Sequence, residues 1–474
     1  MNRQSLRKAS DSRSNEKIFL VGIGGSGMSG LAKLLIAKGY HIRGSDREFD
    51  RNLRQDFYTK MIARGIAMFP QDGSGITDEL DRIVASTAVE SNVPDIVAAK
   101  KQKIPIIHRS SELARQMSDN KSIAIAGTSG KTTITAMTAW ILTQSGFDPT
   151  VISGAEIPNF GNQGEASDVR VGNSEWFIFE ADESDGSLTN YHPEMAVVHN
   201  ITKDHKPIED LRNIFSRFAD QVHKHLLIHI SCPESMALKP QHASTISYGF
   251  DRRADISGEK WESMNWMSRF HVSGHTVFLK MPGFHNATNA LAAYAAATIA
   301  GVPEKDAATA LKTFPGVSRR FEKIGTASNV DIIDDFAHNP DKIKASLNAS
   351  HALSTRILVI YQPHGFGPTQ FLFDDLITTF TECLSEKDHL ILLPIFYAGG
   401  TASRTVSSEQ LAEAIRQRGK NAQVMERNKI PDYLAEIVTA GDLVMIMGAR
   451  DPSLSDLARM ILKTIESKES NNFI

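Results

Sequence analysis

The sequence predicts an α/β protein with parallel sheets, arranged as three successive units. Short apolar runs of strand length alternate with helix-like patterns along the whole chain, the signature of strand–helix–strand repeats. Two of those runs open directly into glycine-rich turns that lead into helix patterns. The 474 residues exceed what one domain of about 150 residues holds.

The first run is Ile18 to Gly22, followed by a helix pattern over Met28 to Lys38 that stops at Gly39. A second strand ends in Gly44-Ser45-Asp46, and others are expected over Arg82 to Ser86 and Ile104 to His108. Together they read as one doubly wound unit ending near residue 115. A second unit opens with Ser122 to Gly127 and continues through Trp176 to Glu180 and Ala196 to Asn200. Its later part, about 225 to 280, is less regular, with a short strand expected over His271 to Lys280. An alanine-rich helix pattern from Asn289 closes it near 315. The third unit carries strand patterns at Val330 to Phe336, Ile357 to Tyr361, His389 to Pro394 and Leu443 to Met447.

Composition excludes several classes. Hydrophobic residues make up 41% and charged residues 23%, a globular balance unlike that of a disordered chain, fibre or coiled coil. With 52 basic and 55 acidic residues the net charge is −3, so no global field favours nucleic acid or an anionic membrane. No apolar run approaches the roughly 20 residues that span a bilayer. Two distant cysteines, Cys232 and Cys383, make neither a disulfide framework nor a zinc site, and a cytoplasmic home is expected. Residues 1–16 are polar and read as a flexible tail without a signal peptide.

Four motifs carry chemistry. Gly22-Ile-Gly24-Gly25-Ser26-Gly27 is a G-x-G-x-x-G between a strand and a helix. Its glycines permit a tight turn and close approach to a diphosphate, while the helix N-terminus adds donors and a positive dipole. Asp46 stands roughly 20 residues on, the place of a ribose-binding acid. Gly127-Thr128-Ser129-Gly130-Lys131-Thr132-Thr133 keeps the working end of a P-loop, although Ile125 replaces its first glycine. There the backbone amides can cradle phosphates, Lys131 can reach the β/γ oxygens and Thr132 can ligate magnesium. Glu180-Ala-Asp182-Glu183-Ser-Asp185 gathers carboxylates at a strand end, which suits magnesium and a base for an amine, or else a solvated turn. Asn200 to His205, also at a strand end, can place His205 at the same pocket for metal or phosphate contact, although a lone histidine is often structural. Two phosphate sites in successive units suggest ATP activating a group carried on a second nucleotide. A nicotinamide-dependent dehydrogenase would leave the second loop, the Glu180 cluster and Arg320 without a task. A non-catalytic ATP-binding regulator would have no need of Lys131, Glu180 and His205.

In order along the chain, these residues resemble the Mur ligases of bacterial cell-wall synthesis. His285-Asn286-Ala-Thr-Asn289, Gly316-Val-Ser-Arg-Arg320-Phe-Glu322 and Asp334-Asp335-Phe-Ala-His338 fit as well. The resemblance implies an N-terminal Rossmann-like UDP-sugar domain over 17–115, a central P-loop ATPase-type domain over 116–315 and a C-terminal Rossmann-like, amine-binding domain over 316–474. It implies an ATP- and Mg2+-dependent ligase that turns the carboxylate of UDP-N-acetylmuramate into an acyl phosphate, then joins it to the amine of L-alanine, a related amino acid or a short peptide. A monomer or homodimer free of nucleic acid and membrane is expected. By the same resemblance, Lys131, Glu180 and His205 are catalytic, and Thr132, Glu180 and His205 hold metal. Gly127 to Thr133, Asn286, Asn289, Arg320 and Asp335 take the nucleotide, unless the two asparagines merely cap their helix and Arg320 forms only a surface ion pair. Gly22, Gly24, Gly25, Ser26, Gly27, Ser45, Asp46, His338 and His364 take the substrates.

The chain departs from the family's alanine-adding branch at named positions. Ser129 replaces a histidine in the ATP loop. Phe336 replaces a tyrosine, as in the peptide-recycling branch, and Asn339 replaces a second histidine. After Gln362-Pro-His364, the arginines expected of the alanine-adding branch are Gly365 and Pro368. Lys206-Pro207 and Arg450-Asp451 are further changes. Arginine pairs naturally with an amino-acid carboxylate, so the amine pocket is expected to be altered and to accept a different or larger amine, with Arg404 or Arg450 as candidates to replace the lost charge. The recycling reaction, adding L-Ala-γ-D-Glu-meso-diaminopimelate, is the alternative.

Overall fold

The computed structural model describes residues 15–161, 164–184, 186–204, 206–397 and 404–471. Packing divides the chain into two compact units. One comprises Met1–Gly127, Thr138–Ile201 and Glu209–Ile246, the other Thr128–Met137, Thr202–Ile208 and Ser247–Ile474.

The first unit opens with β1 (Lys17–Val21), α1 (Ser26–Ala37), β2 (His41–Ser45), β3 (Ala67–Phe69), β4 (Arg82–Ala85), β5 (Ile106–His108) and α2 (Arg109–Met117). The strands form a parallel sheet in the order β3-β2-β1-β4-β5. The chain steps outward from β1 on one side and resumes at β4 on the other, so the Gly22 loop leaves β1 at the point where strand order reverses. Ligands of doubly wound sheets bind there, beyond the carboxyl ends of the strands. Alternate residues of β1 pack on opposite faces, and Phe19 and Val21 join Ile83, Ala85 and Ile96 in one core.

The same unit contains β6 (Lys121–Ala126), the second half of α3 (Lys131–Gln144), β7 (Thr150–Ile157), β8 (Ser167–Arg170), β9 (Trp176–Glu180), β10 (Met195–Val198) and β11 (His225–His229). Their order is β11-β10-β6-β9-β7-β8, parallel except for the edge strand β8. Central β6 lies between β10 and β9, so Gly127, Glu180 and Asn200 all emerge at one end of the sheet. β6, β9 and β10 are nearly continuous apolar runs because both faces are covered.

In the second unit, Tyr248 and Gly249 at the end of β12 (Ser244–Gly249) pair in parallel with β13 (Ile256–Met264). β14 (Met267–Val272) and β15 (His275–Leu279) follow as an antiparallel hairpin. The single strand expected over His271 to Lys280 is therefore two half-strands, because Ser273 and Gly274 turn the chain with φ of 47° and 76°. The alanine-rich helix α4 spans Phe284–Ile299, so it starts five residues before the Asn289 expected from its pattern.

The last sheet contains β16 (Glu322–Ala327), β17 (Val330–Asp335), β18 (Ile357–Tyr361), β19 (His389–Leu392), β20 (Ala422–Val424) and β21 (Leu443–Met447), with α5 (Pro340–His351) after β17. Its order is β16-β17-β21-β18-β19-β20, parallel except for β16. The period-two pattern splits each strand between two cores. Ile333, Val359 and Met445 face one helical layer, and Ile332, Leu358 and Val444 face the other.

Candidate functional site

The glycine loop after β1 is fastened from behind. Gly22 N and Ile23 N donate to Ser45 O at 2.9 and 3.1 Å. Ser45 is fully buried and its hydroxyl donates to Asp95. The Asp46 carboxylate accepts from Gly24 N at 2.8 Å and Glu48 N at 2.9 Å, so it both grips the loop and caps the short helix beyond it. Gly24 cannot carry a side chain, since a Cβ would lie 2.3 Å from Tyr58 Oη. Gly25 provides the N-cap of α1. The Ser26 side chain lies outside the described residues.

Two arginines at this loop escaped the sequence reading. Arg54 donates to Gly24 O at 3.0 Å and lies 4.3 Å over the Phe57 ring. Arg109 opens α2, and its Nη1 would lie 2.9 Å from a Cβ at Gly27. The available signal was positional, since Arg109 immediately follows a parallel strand at its carboxyl end. The two cations give the loop positive charge that its glycines lack.

At the end of β6, Gly127 and Gly130 take φ of 137° and 82°, values a side chain would strain. Gly127 also lies against Asn200, whose backbone N and O would be 3.1 Å from a Cβ. The Glu180 carboxylate accepts a hydrogen bond from Gly154 N, which fixes it at the strand end. Asp182 turns back to accept from Ser184 Oγ at 2.9 Å, and Glu183 is buried. Asp185 lies outside the described residues, as does His205, which was expected to be catalytic and to bind metal.

The remaining residues of the phosphate loop belong to the second unit. Thr128 Oγ1 lies 2.9 Å from Thr202 Oγ1 and accepts from Thr202 N at 3.1 Å. Ser129 and Lys131 are half-buried, while Thr132 and Thr133 are buried in the first turn of α3. The helix dipole at that turn favours an anion. Arg320 Nη2 donates to Thr132 Oγ1 at 3.1 Å. The Arg320 guanidinium lies 4.3 Å from the Phe336 ring centroid and Arg319 lies 5.2 Å from it. Arg319 also ties β17 to the loop after β21 by donating to Gly448 O at 2.7 Å.

Asn286 and Asn289 lie inside α4 and are 2% and 4% exposed, so neither caps the helix; Gly283 occupies the N-cap. Asn286 Nδ2 donates to Pro282 O at 2.8 Å. Asp335 is buried, accepts from Ser346 Oγ, and burial pushes its carboxyl above the usual range while Arg320 pulls the other way. The His338 and His364 rings meet edge to face at 5.2 Å. Asn339 Oδ1 accepts from Lys342 N at 3.0 Å and caps α5, while its Nδ2 donates to Asp204 Oδ2 at 2.8 Å. Lys342 Nζ reaches the same carboxylate at 3.2 Å. The substitution that set Asn339 apart from the family pattern thus fastens Asp204 to α5. No set of three or more metal-ligating side chains is assembled among the described residues. None of their helices is long and apolar enough to cross a membrane.

A strand-end glycine loop beside cations and a loop whose Thr132 accepts from Arg320 fit the class of ATP-dependent ligases. Three family models match consecutive stretches of the chain. They are the Mur ligase family catalytic domain over 17–121, the Mur ligase middle domain over 125–297 and the Mur ligase glutamate ligase domain over 319–450. The chain belongs to the Mur ligase family. It is 36% identical over 454 residues to a UDP-N-acetylmuramate--L-alanine ligase of Geobacter sulfurreducens, covering 92% of this chain and 95% of that protein. It is 34% identical to the ligase of the same name from Agrobacterium fabrum, covering 91% and 93%. Among solved structures, UDP-N-acetylmuramate-alanine ligase MurC of Thermotoga maritima superposes with a TM-score of 0.75 at 25% identity, covering 96% of this chain and 99% of that one. A murein peptide ligase of Psychrobacter arcticus shares the fold, with a TM-score of 0.68 at 22% identity and coverage of 95% and 99%.

Proposed function

We propose that this chain joins the carboxylate of UDP-N-acetylmuramate to the amine of L-alanine, or a closely related amine, at the expense of ATP in the cytoplasm. The observation that carries this reading is the pair of phosphate-binding loops, each at the carboxyl end of a central parallel strand, in a chain 36% identical over nearly its whole length to ligases of that name.

A carboxylate is a poor acyl donor because its leaving group would be oxide. Transfer of the γ-phosphoryl group from ATP to the carboxylate gives an acyl phosphate, and attack by a neutral amine then expels phosphate. The first step brings two anions together, so cations must offset their repulsion. Lys131, at the first position of α3, serves the β/γ oxygens, and the first-turn amides of α3 cradle the phosphates. Arg320, held on Phe336 and bonded to Thr132, adds a second cation. Asn286, Asn289 and Asp335 serve the nucleotide. The Gly22–Gly27 loop with Asp46, Arg54 and Arg109 takes the UDP diphosphate, and His338 and His364 border the amine side. The Thr132 hydroxyl and the Glu180 carboxylate are each hard oxygen donors of the type Mg2+ selects, and each is a candidate to hold that ion, as is His205. Bound there, Mg2+ would neutralise phosphate charge. The division of labour follows 17–115 for the UDP-sugar, 116–315 for ATP and 316–474 for the amine.

A second reading, addition of L-Ala-γ-D-Glu-meso-diaminopimelate, is favoured by Phe336 and by Gly365 and Pro368, which leave the loop short of charge and bulk. The test is phosphate release with ATP, Mg2+ and UDP-N-acetylmuramate against L-alanine, glycine, L-serine and that tripeptide. Release with L-alanine supports the main reading. Release with the tripeptide alone moves the chain to the recycling reaction, and release with none refutes both.

A further inference from the structure

Three peptide segments meet beyond the carboxyl ends of β18 and β19. Gly365 N donates to Phe396 O at 2.8 Å, and Phe396 N donates to Pro363 O at 2.8 Å, so the loops after the two strands are stitched together. The stitching sets the Phe366 ring against the Tyr397 ring, with centroids 5.2 Å apart at 62°. The guanidinium carbon of Arg404 lies 5.5 Å from each ring centroid. Two aromatic faces therefore hold this cation, and no carboxylate among the described residues pairs with it. Arg404 is exposed. The Tyr397 hydroxyl is buried and has no hydrogen-bond partner among the described residues. A buried hydroxyl left so is unfavourable, and a ligand that bonds to it recovers that cost.

We propose that Arg404, clasped by Phe366 and Tyr397, is the specificity residue for the incoming amine and takes its free carboxylate, with the Tyr397 hydroxyl as a second donor. The proposal rests on the ligase reading above and names the residue that selects the amine component. A guanidinium stacked on rings presents its donor edge, and that planar fork matches a carboxylate. The place is right, since doubly wound sheets bind ligands beyond the carboxyl ends of their strands. The sign and number of donors are right too. One fork and one phenol suit a single carboxylate, whereas a polyphosphate requires several cations. The loop residues Gly365 and Pro368 carry no charge, so Phe366 contributes by holding a cation that comes from further along the chain. Arg450, at the end of β21, is exposed but lacks this aromatic clasp.

The test uses the full chain with L-alanine, L-alaninamide and the L-Ala-γ-D-Glu-meso-diaminopimelate tripeptide. Binding is followed by ligand-observed NMR in the presence of UDP-N-acetylmuramate and a non-hydrolysable ATP analogue, and turnover by phosphate release. The wild type should prefer the acids to the amide. Arg404→Ala should raise KM and Kd for the preferred acid roughly 10- to 100-fold, the loss of one charge-assisted contact. It should also abolish discrimination against the amide and leave KM for ATP and for UDP-N-acetylmuramate unchanged. Arg404→Lys should recover only part, and Arg450→Ala should behave as wild type. Unchanged acid-over-amide preference in Arg404→Ala, transfer of the effect to Arg450→Ala, or binding of no carboxylate-bearing amine by the wild type would overturn the proposal. Carboxylate-dependent binding lost in Arg404→Ala, without phosphate release in the wild type, would retain it while refuting the ligase reading.

Discussion

Replacing Gly24 with alanine tests how the UDP-sugar loop is built. A Cβ there would lie 2.3 Å from Tyr58 Oη and 2.8 Å from Asp46 Oδ2, both closer than real Cβ contacts allow. Tyr58 cannot swing away. It is fully buried, with Phe49 and Phe57 at centroid distances of 5.3 and 5.1 Å, and burial and the Asp46 carboxylate keep its phenol protonated. The loop backbone at Gly24 must then shift away from Tyr58, and the bond from Gly24 N to Asp46 is lost. A hydrogen bond to a charged group is worth about 1.5–3 kcal/mol, and overpacking adds about 1–3 kcal/mol. If about 3 kcal/mol appears as loop displacement, the Kd for UDP-N-acetylmuramate rises by about 100-fold. Calorimetric titration of Gly24→Ala with the UDP-sugar measures this, and affinity for an ATP analogue should stay within about twofold. Adding Tyr58→Phe removes the closest atom and should restore part of the affinity. A folded Gly24→Ala protein that binds the UDP-sugar like wild type would refute this account of the loop.

Other consequences concern stability and the second unit. Arg82 and Glu112 form a buried two-bond ion pair at 2.8 and 2.9 Å, so Glu112→Ala should destabilise the fold by about 3–5 kcal/mol in urea denaturation, while Arg82→Met with Glu112→Leu should cost far less. Burial holds His229 and His285 down at about 4, against 6.5 for a free imidazole. The unfolded chain therefore binds protons that the folded chain refuses. The stability is complete above about pH 6.5 and is lost as pH falls towards 4, by on the order of 3 kcal/mol per group. His229→Gln should flatten that slope in denaturant titrations at several pH values. Asn339→Asp should keep the cap of α5 but set a carboxylate against Asp204. Asn339→Ala should lose both contacts, about 2–4 kcal/mol together. If the Asp204 contact matters for turnover, the aspartate variant will release phosphate more slowly than wild type despite its intact cap.

The sequence alone made the architecture legible wherever a strand was buried on both faces. Trp176–Glu180, Ile357–Tyr361 and Leu443–Met447 agree with their apolar runs residue for residue. It also marked both glycine-rich strand-end loops, because backbone geometry admits few residue types there and glycine spacing records that restriction. The β14–β15 hairpin was less legible, since one short polar turn separates two similar runs. The start of α4 was obscured because its N-cap is a glycine rather than a side chain that signals a cap. What only tertiary structure decided is partnership. Arg320 and Arg319 are adjacent and chemically identical, yet one reaches Thr132 and the other fastens Gly448. Arg109 reaches Gly27, Asn339 reaches Asp204, and Arg404 finds the Phe366 and Tyr397 rings through loops stitched across two strands. Local sequence fixes the conformation of each segment, whereas a long-range contact depends on which strand ends the sheet order brings side by side.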